Sequence, residues 1–342
     1  MNTGDTVNIT DIIQIDSVIK DIISTSTVAW DQFVGRTSLD RWLANFTGEA
    51  LGNPEDERAL AAWLLMNFTY YTQSEVEEMC KILYKKFIHA KLQASPYKES
   101  SESIENKVRT ILSRTAFTHL GSPGESGAFV LYSFRATNKL PAELFKTMEE
   151  IKQDISTGKI DDLVLIDDVT ISGEQAVTYI ENLPDMAITT TLLTFFATQT
   201  ATEKLFEDTP EIKPMYVYLL DERTKLFSAN SHIFSSPQSQ AIKAVANTLC
   251  MHYGNKIVKH ELSEVAKYMS SFPLGFDNGQ QMFAFYYNTP DNTLPIFWCD
   301  SANWTPIFPR RNKIHDLEGV KISDEQYWSS FCRVYFKRYD FS

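Results

Sequence analysis

One thirteen-residue stretch constrains the fold more than any other part of the chain: Leu163-Val164-Leu165-Ile166-Asp167-Asp168-Val169-Thr170-Ile171-Ser172-Gly173-Glu174-Gln175. Four consecutive apolar residues suit a strand covered on both faces, as in a parallel sheet. Two acids follow at once. They would stand at the strand's C-terminal end, the edge at which open α/β sheets hold ligands. Two adjacent carboxylates are not expected to be buried together, because each charge taken out of water costs several kcal/mol unless it is paired (about that order).

The rest of the stretch has the chemistry of an anion loop. A helix beginning near Glu174 offers free backbone N–H groups that attract a phosphate, Gly173 lets that backbone come close, and Thr170 and Ser172 add hydroxyl donors. Asp167 and Asp168 can accept hydrogen bonds from a ribose diol or bind it through Mg²⁺.

Apolar spacing places this unit in a chain of two parts. Up to about residue 115 the period is helical: Ile12, Ile15, Ile19 and Ile22 form one stripe, and Ala59, Ala62, Trp63 and Met66 another behind Pro54. Ser74 with Glu77 reads as a capping box for a helix carrying Val76, Met79, Cys80, Leu83 and Phe87 inward, and Ile104, Val108, Ile111 and Leu112 mark a further helix. This predicts an all-α region over 1–115.

From 116 to 342 the pattern predicts an α/β domain with a mainly parallel sheet. Expected strands lie near 128–134, 163–167, 188–196 and 215–220, with helices behind Pro141, from Glu174 to Leu183 and around Lys204. A helix from Pro237 to Tyr253 is expected to stop at Gly254. An α+β extension, about 255–342, should add an antiparallel hairpin near 282–298 and a C-terminal segment with Tyr327, Trp328, Phe331 and Tyr335 at near-helical spacing.

Composition excludes several classes. Lys plus Arg 32 against Asp plus Glu 44 leaves a net charge of −12, which repels a polyphosphate backbone, so direct nucleic-acid binding is not expected. The start, Met1 to Gln14, lacks a secretory pattern, and no apolar window is long enough to span a membrane, so a cytoplasmic protein is expected. Cys80, Cys250, Cys299 and Cys332 have no CxxC spacing and suit free thiols, and the six histidines show no metal-binding spacing.

The Leu163 to Gln175 stretch resembles the phosphoribosyl pyrophosphate motif of the type I phosphoribosyltransferases. By that resemblance Asp167 and Asp168 hold the ribose hydroxyls and Mg²⁺, and Val169, Thr170, Ile171, Ser172, Gly173 and Gln175 line the 5′-phosphate loop. The family binds diphosphate after an earlier strand. Arg135, Asn138 and Lys139, which follow the expected strand at 128–134, stand in that position. Arg135 with the two acids is the expected catalytic set. Gly121 to Gly127 is either a second anion loop or a mobile lid. Ile171 stands where purine-specific members place an acidic base, so purine salvage is not implied.

The helical leader, the Asn288 to Pro295 turn and the Trp304 to Arg311 stretch are similar to bacterial phosphoribosyltransferase-like proteins of antiphage conflict systems. The implied ligand is phosphoribosyl diphosphate or a nucleotide. The implied function is phosphoribosyl or glycosyl transfer, or hydrolysis; a catalytically inactive nucleotide sensor on the same fold is the alternative. A protein partner would be met by the N-terminal helical region.

Overall fold

The computed structural model describes residues 9–121, 126–181, 188–210, 212–261, 273–300 and 303–310. The N-terminal part is helical: α1 (Ile9–Ile12), α2 (Ile15–Ala29), α3 (Arg36–Leu43), α4 (Pro54–Met66), α5 (Gln73–Gln93) and α6 (Ile104–Ser113), with one short strand, β1 (Thr69–Tyr71), between α4 and α5. Pro54 takes the first position of α4, where its missing N–H costs nothing, and the Asn53 side chain accepts from Glu55 N at 3.0 Å. Helix α5 starts two residues earlier than expected. Its cap pairs Thr72 with Glu75, whose carboxylate accepts from the Thr72 backbone N–H at 2.7 Å, and the Ser74/Glu77 pair is not used.

The α/β part carries β2 (Thr115–His119), α7 (Ser126–Asn138), α8 (Met148–Ser156), β3 (Asp162–Thr170), α9 (Glu174–Glu181), β4 (Thr189–Thr198), α10 (Gln199–Asp208) and β5 (Ile212–Leu220). The four strands pair in parallel in the order β2-β3-β4-β5. Leu165 lies opposite Leu192 and Ile166 opposite Leu193.

Leu163 to Ile166 are completely buried, as a doubly covered strand requires, each contributing about 1.5–3 kcal/mol of apolar burial. Val164 and Ile166 face a core built with α5 and α7. Leu163 and Leu165 face a second core with Ile151 and Ile155 of α8, Ala176 of α9 and Leu205 of α10. Further along the described chain come α11 (Pro237–Glu261), β6 (Phe283–Phe285) and α12 (Pro295–Trp298), with short 3-10 turns at Ala142–Leu144 and Phe276–Asn278. A third core joins the N-terminal helices to α11, α12, Trp304 and Phe308, so residues from both ends of the described chain share it.

Three expectations are corrected. The run Ala128 to Phe134 is helix, not strand: it buries Gly127, Val130 and Phe134 at spacings of three and four, while Tyr132 is 65% exposed. The edge strand is instead the preceding Thr115–His119, whose short mixed pattern gave no clear period.

The hairpin near 282–298 is absent among the described residues. Phe283–Phe285 pairs in parallel with Thr69–Tyr71, an isolated antiparallel bridge joins Phe285 and Asn288, and Pro295–Trp298 is a helical turn with Pro295 leading it.

Helix α11 runs straight through Gly254 to Glu261. That glycine serves close packing rather than a cap, because a Cβ there would lie 2.0 Å from the Pro273 carbonyl oxygen. The aromatic segment from Tyr327 to Tyr335 lies outside the described residues.

Candidate ligand site at the end of strand β3

Strand β3 extends three residues past Asp167, so the acids belong to the strand itself rather than to the turn after it. Along the strand Asp168 continues the alternation of Val164 and Ile166 and Asp167 that of Leu163 and Leu165, yet both carboxylates end beside the start of α7: Asp168 Oδ1 is 3.1 Å from Ser126 Oγ, and Asp167 Oδ1 lies 3.3 Å from where a Cβ on Gly127 would stand.

Both acids are buried, each only 7% exposed, against the expectation that one would be in water. Local donors make this tolerable. Asp168 Oδ1 accepts from Val169 N at 2.8 Å and Ser126 Oγ at 3.1 Å, and Asp168 Oδ2 from the Tyr287 hydroxyl at 3.4 Å. Asp167 Oδ1 accepts from Asp168 N at 2.9 Å.

Burial pushes the Asp168 carboxyl above the ordinary carboxylate range, opposed by the donors at Ser126 and Val169, by Asp167, and by the positive charge of Arg310. Burial, reinforced by both acids, likewise holds the Tyr287 phenol well above its usual value, so it stays a neutral donor.

Two distant elements therefore touch Asp168, and the charge of Arg310 acts on it from a third. Ser126 opens α7 directly after the β2 edge, where Leu120 N donates to Ile166 O at 2.9 Å. Tyr287 arrives because β6 pairs with β1, and it is seated by stacking on Phe129 at 4.5 Å and Phe285 at 5.2 Å. Arg310 follows Phe308, whose carbonyl accepts from Thr289 Oγ1 at 2.9 Å.

The loop after β3 is tight. Gly173 has φ +76°, a conformation that side chains rarely adopt, and a Cβ there would lie 3.3 Å from both the Ala201 carbonyl and Leu205 Cγ. Thr198 ties the loop to α10, donating to the Ile171 carbonyl at 2.5 Å while its Oγ1 caps Ala201 N at 3.0 Å.

Val169 is half-buried, as are Ile171 and Ser172, while Gln175 is exposed on the first turn of α9. The hydroxyl of Thr170 is buried and has no hydrogen-bond partner. A buried unpaired hydroxyl beside two acids is a donor left over for a ligand.

The expected diphosphate residues lie elsewhere. Arg135, Asn138 and Lys139 sit in the last turn of α7 and just beyond it, while the first residue of that helix touches Asp168. Twelve helical steps separate Ser126 from Asn138, about 18 Å. Asn138 is occupied in holding α7 to α5, donating to the carbonyls of Cys80 at 3.2 Å and Phe134 at 2.9 Å. Lys139 is exposed, with φ +53° just past the helix end. Their expected role rested on a strand at 128–134, and the helix there carries them away from the strand ends.

Of Gly121 to Gly127, residues 122–125 lie outside the described residues, and Ser126 and Gly127 start α7. Asp221 and Arg223 form a salt-bridged turn at 2.7 Å. Ser126 falls inside the segment expected as a second anion loop or lid, whereas Tyr287 and Arg310 were not expected at the site, one lying in an aromatic run and one in a short basic turn.

A Mg²⁺ ion can be tested against these donors. Among the described residues no group of three or more His, Cys, Asp or Glu side chains could form a protein-only cage. Two adjacent carboxylates fit an ion that keeps its waters and draws its remaining ligands from a phosphorylated substrate.

A parallel sheet covered on both faces, with an acid pair at the end of an inner strand and a Ser-Gly loop entering a helix, defines an α/β protein of phosphoribosyltransferase type. The chain belongs to the PRTase-CE family, a phosphoribosyltransferase-like family that it matches over residues 39–310, a span containing every site residue named above. Among curated proteins no match is found. No helix among the described residues is long and apolar enough to cross a membrane.

Proposed function

We propose that the protein binds a ribose-phosphate ligand, phosphoribosyl diphosphate first and a nucleotide second, at Asp167, Asp168 and the 169–175 loop. The observation that carries this is the buried acid pair beside the unpartnered Thr170 hydroxyl, at the end of a strand in a phosphoribosyltransferase-like chain. Asp167 and Asp168 would accept from the ribose 2- and 3-hydroxyls. Ser172, Gly173 and the first turn of α9 would hold the 5′-phosphate through backbone N–H groups. Mg²⁺ would be held by the carboxylates and the ligand's phosphates, and would supply charge neutralisation on a departing diphosphate.

In the catalytic form of this proposal, the bond from ribose C1 to the diphosphate oxygen breaks as positive charge develops on the ring. An acceptor nitrogen or a water oxygen then bonds to C1, its proton leaving to solvent, and the paired acids stabilise the cationic ring. A second reading, a nucleotide sensor without turnover, is favoured by one observation: Tyr287 covers Asp168.

Calorimetry with phosphoribosyl diphosphate, ribose 5-phosphate and a nucleotide panel, with and without Mg²⁺, tests the ligand. Binding by none of them removes the proposal. Release of diphosphate or free base that disappears in Asp167→Asn/Asp168→Asn supports catalysis, and tight binding without release supports the sensor.

The setting we propose is cytoplasmic and bacterial, in antiphage defence. Its support is the resemblance of the flanking segments, together with Ile171 where salvage enzymes place an acid. Phage challenge of a host expressing wild type or the double Asn variant, with neighbouring genes, tests it. Equal phage sensitivity in every combination would overturn it.

A further inference from the structure

We propose that Arg310 is the residue that binds the diphosphate of the ligand, taking the role that sequence position had suggested for Arg135 and Lys139; this rests on the ribose-phosphate reading of the Asp167/Asp168 site. Arg310 is held in place from several sides. Its guanidinium lies 5.6 Å over the Trp298 ring, its backbone N–H donates to the Trp298 carbonyl at 3.3 Å, and Nη1 stands 3.4 Å from Asp291 Oδ2. The side chain is only 17% exposed.

Yet its hydrogen-bonding capacity is unspent. Nη1 is buried without a hydrogen-bond partner, since the approach to Asp291 has ion-pair distance but not hydrogen-bond geometry, and the guanidinium donates no hydrogen bond to a described residue. A guanidinium carries five N–H donors in a planar fork whose natural partners are carboxylates and phosphates. Leaving such donors unpaired in a half-buried place costs free energy unless an anion takes them up in the working state.

Arg310 is tied to the acid site through the chain: Tyr287, on Asp168, and Asp291, on Arg310, lie four residues apart on one turn, which Thr289 fastens to the Phe308 carbonyl. The sign of its charge agrees, since it opposes the effect of burial on Asp168. The ribose hydroxyls would thus sit on the acids while a charge-bearing group on the same ring meets Arg310. The α9 end of the site already suits the 5′-phosphate. The group left for Arg310 is the diphosphate on C1, whose spread negative charge fits a forked cation better than a single ammonium.

The experiment compares phosphoribosyl diphosphate, ribose 5-phosphate and inorganic diphosphate by calorimetry on the full chain with Mg²⁺, using wild type, Arg310→Gln and Arg310→Lys. The expected result for Arg310→Gln is a loss of at least about tenfold in affinity for phosphoribosyl diphosphate and inorganic diphosphate, with less than about twofold change for ribose 5-phosphate. Arg310→Lys keeps the charge, loses the fork and should fall between. Thermal unfolding of each variant checks the fold, and a folding defect would weaken all three ligands together.

Unchanged diphosphate affinity in Arg310→Gln, or an equal loss for ribose 5-phosphate, overturns the assignment while the acid site stands. Wild type that binds no phosphorylated ribose overturns both.

Discussion

Across 119 positions of sequence, Tyr287 brings its hydroxyl to 3.4 Å from Oδ2 of Asp168. The tyrosine is buried and donates to an oxygen that a ribose hydroxyl would need, so it stands in for part of a ligand. Tyr287→Phe keeps the stacking on Phe129 and Phe285 and deletes only that donor. Affinity for phosphoribosyl diphosphate should rise about three- to tenfold, the ~0.5–1.5 kcal/mol of one hydrogen bond no longer displaced. Calorimetry decides, and an affinity that falls would mean the tyrosine helps to hold the ligand.

Asp168→Asn should separate stability from binding. The carboxyl's folded pKa is raised by burial, so between the ordinary carboxylate value and that raised value the native state binds more protons than the unfolded one. Its contribution to stability is therefore largest at low pH and is lost as pH rises through the window. An Asn side-chain oxygen can still accept from Ser126 and Val169 without carrying a buried charge. The variant should unfold at higher denaturant than wild type at pH 8, and the difference should shrink toward pH 4. Ligand affinity should drop by about 1.5–3 kcal/mol, the worth of a charged acceptor. A variant less stable than wild type at pH 8 would contradict this account of Asp168.

Strand β3 and its acids were legible because four apolar residues, two carboxylates and a Ser-Gly loop occur in an order that few structures other than a buried parallel strand can use. The run Ala128 to Phe134 was not, since seven nearly continuous apolar residues suit a buried strand and a buried helix equally well. What was hidden at the site is long-range. Nothing local to Tyr287 or Arg310 announces that a two-stranded parallel pairing between Thr69–Tyr71 and Phe283–Phe285 will carry this segment to Asp168. The burial of Asp168 was hidden for the same reason, because its donors Ser126 and Tyr287 come from elsewhere in the chain.

Arg135→Gln and Lys139→Gln should leave ligand binding within about twofold of wild type, because α7 carries them toward the end opposite its contact with Asp168, about 14 Å along the helix from Ser126 for Arg135 and about 18 Å or more for Lys139, where a surface charge is largely screened. Calorimetry on the single and double variants checks this. A loss of about tenfold or more would return the diphosphate to that helix end.

Gly173→Ala tests the loop. The substitution forces a β-carbon into a left-handed position, at about 1–2 kcal/mol, and against the Ala201 carbonyl and Leu205 at 3.3 Å. Since Thr198 fixes Ile171 on one side, the strain should be relieved by movement of Ser172 and the first turn of α9. Ribose 5-phosphate affinity should therefore fall together with stability. Urea unfolding and calorimetry measured on the same sample would show whether the two effects travel together.

Glu57 supplies the sharpest test of the core that joins the two ends of the described chain. It is completely buried and accepts from four donors: Gly48 N at 2.7 Å, Ala50 N at 2.6 Å, Leu51 N at 2.8 Å and the Tyr253 hydroxyl at 2.6 Å. Three of these are backbone N–H groups that cannot reorient, spread over both carboxylate oxygens. In Glu57→Gln, whichever oxygen becomes NH₂ must face at least one of them, so the cost should be about 2–4 kcal/mol despite the preserved shape. Glu57→Ala strands all four donors and leaves a cavity, for about 3–5 kcal/mol. Both variants should lower the urea midpoint with the slope unchanged, Ala more than Gln. Phosphoribosyl diphosphate binding in the fraction still folded should hold at the wild-type value, because the partners of Glu57 lie in the loop from Gly48 to Leu51 and on α11 and none involves Asp168. A Gln variant as stable as wild type would mean that the loop from Gly48 to Leu51 can find other acceptors, and that this carboxylate is not what fastens it to α11.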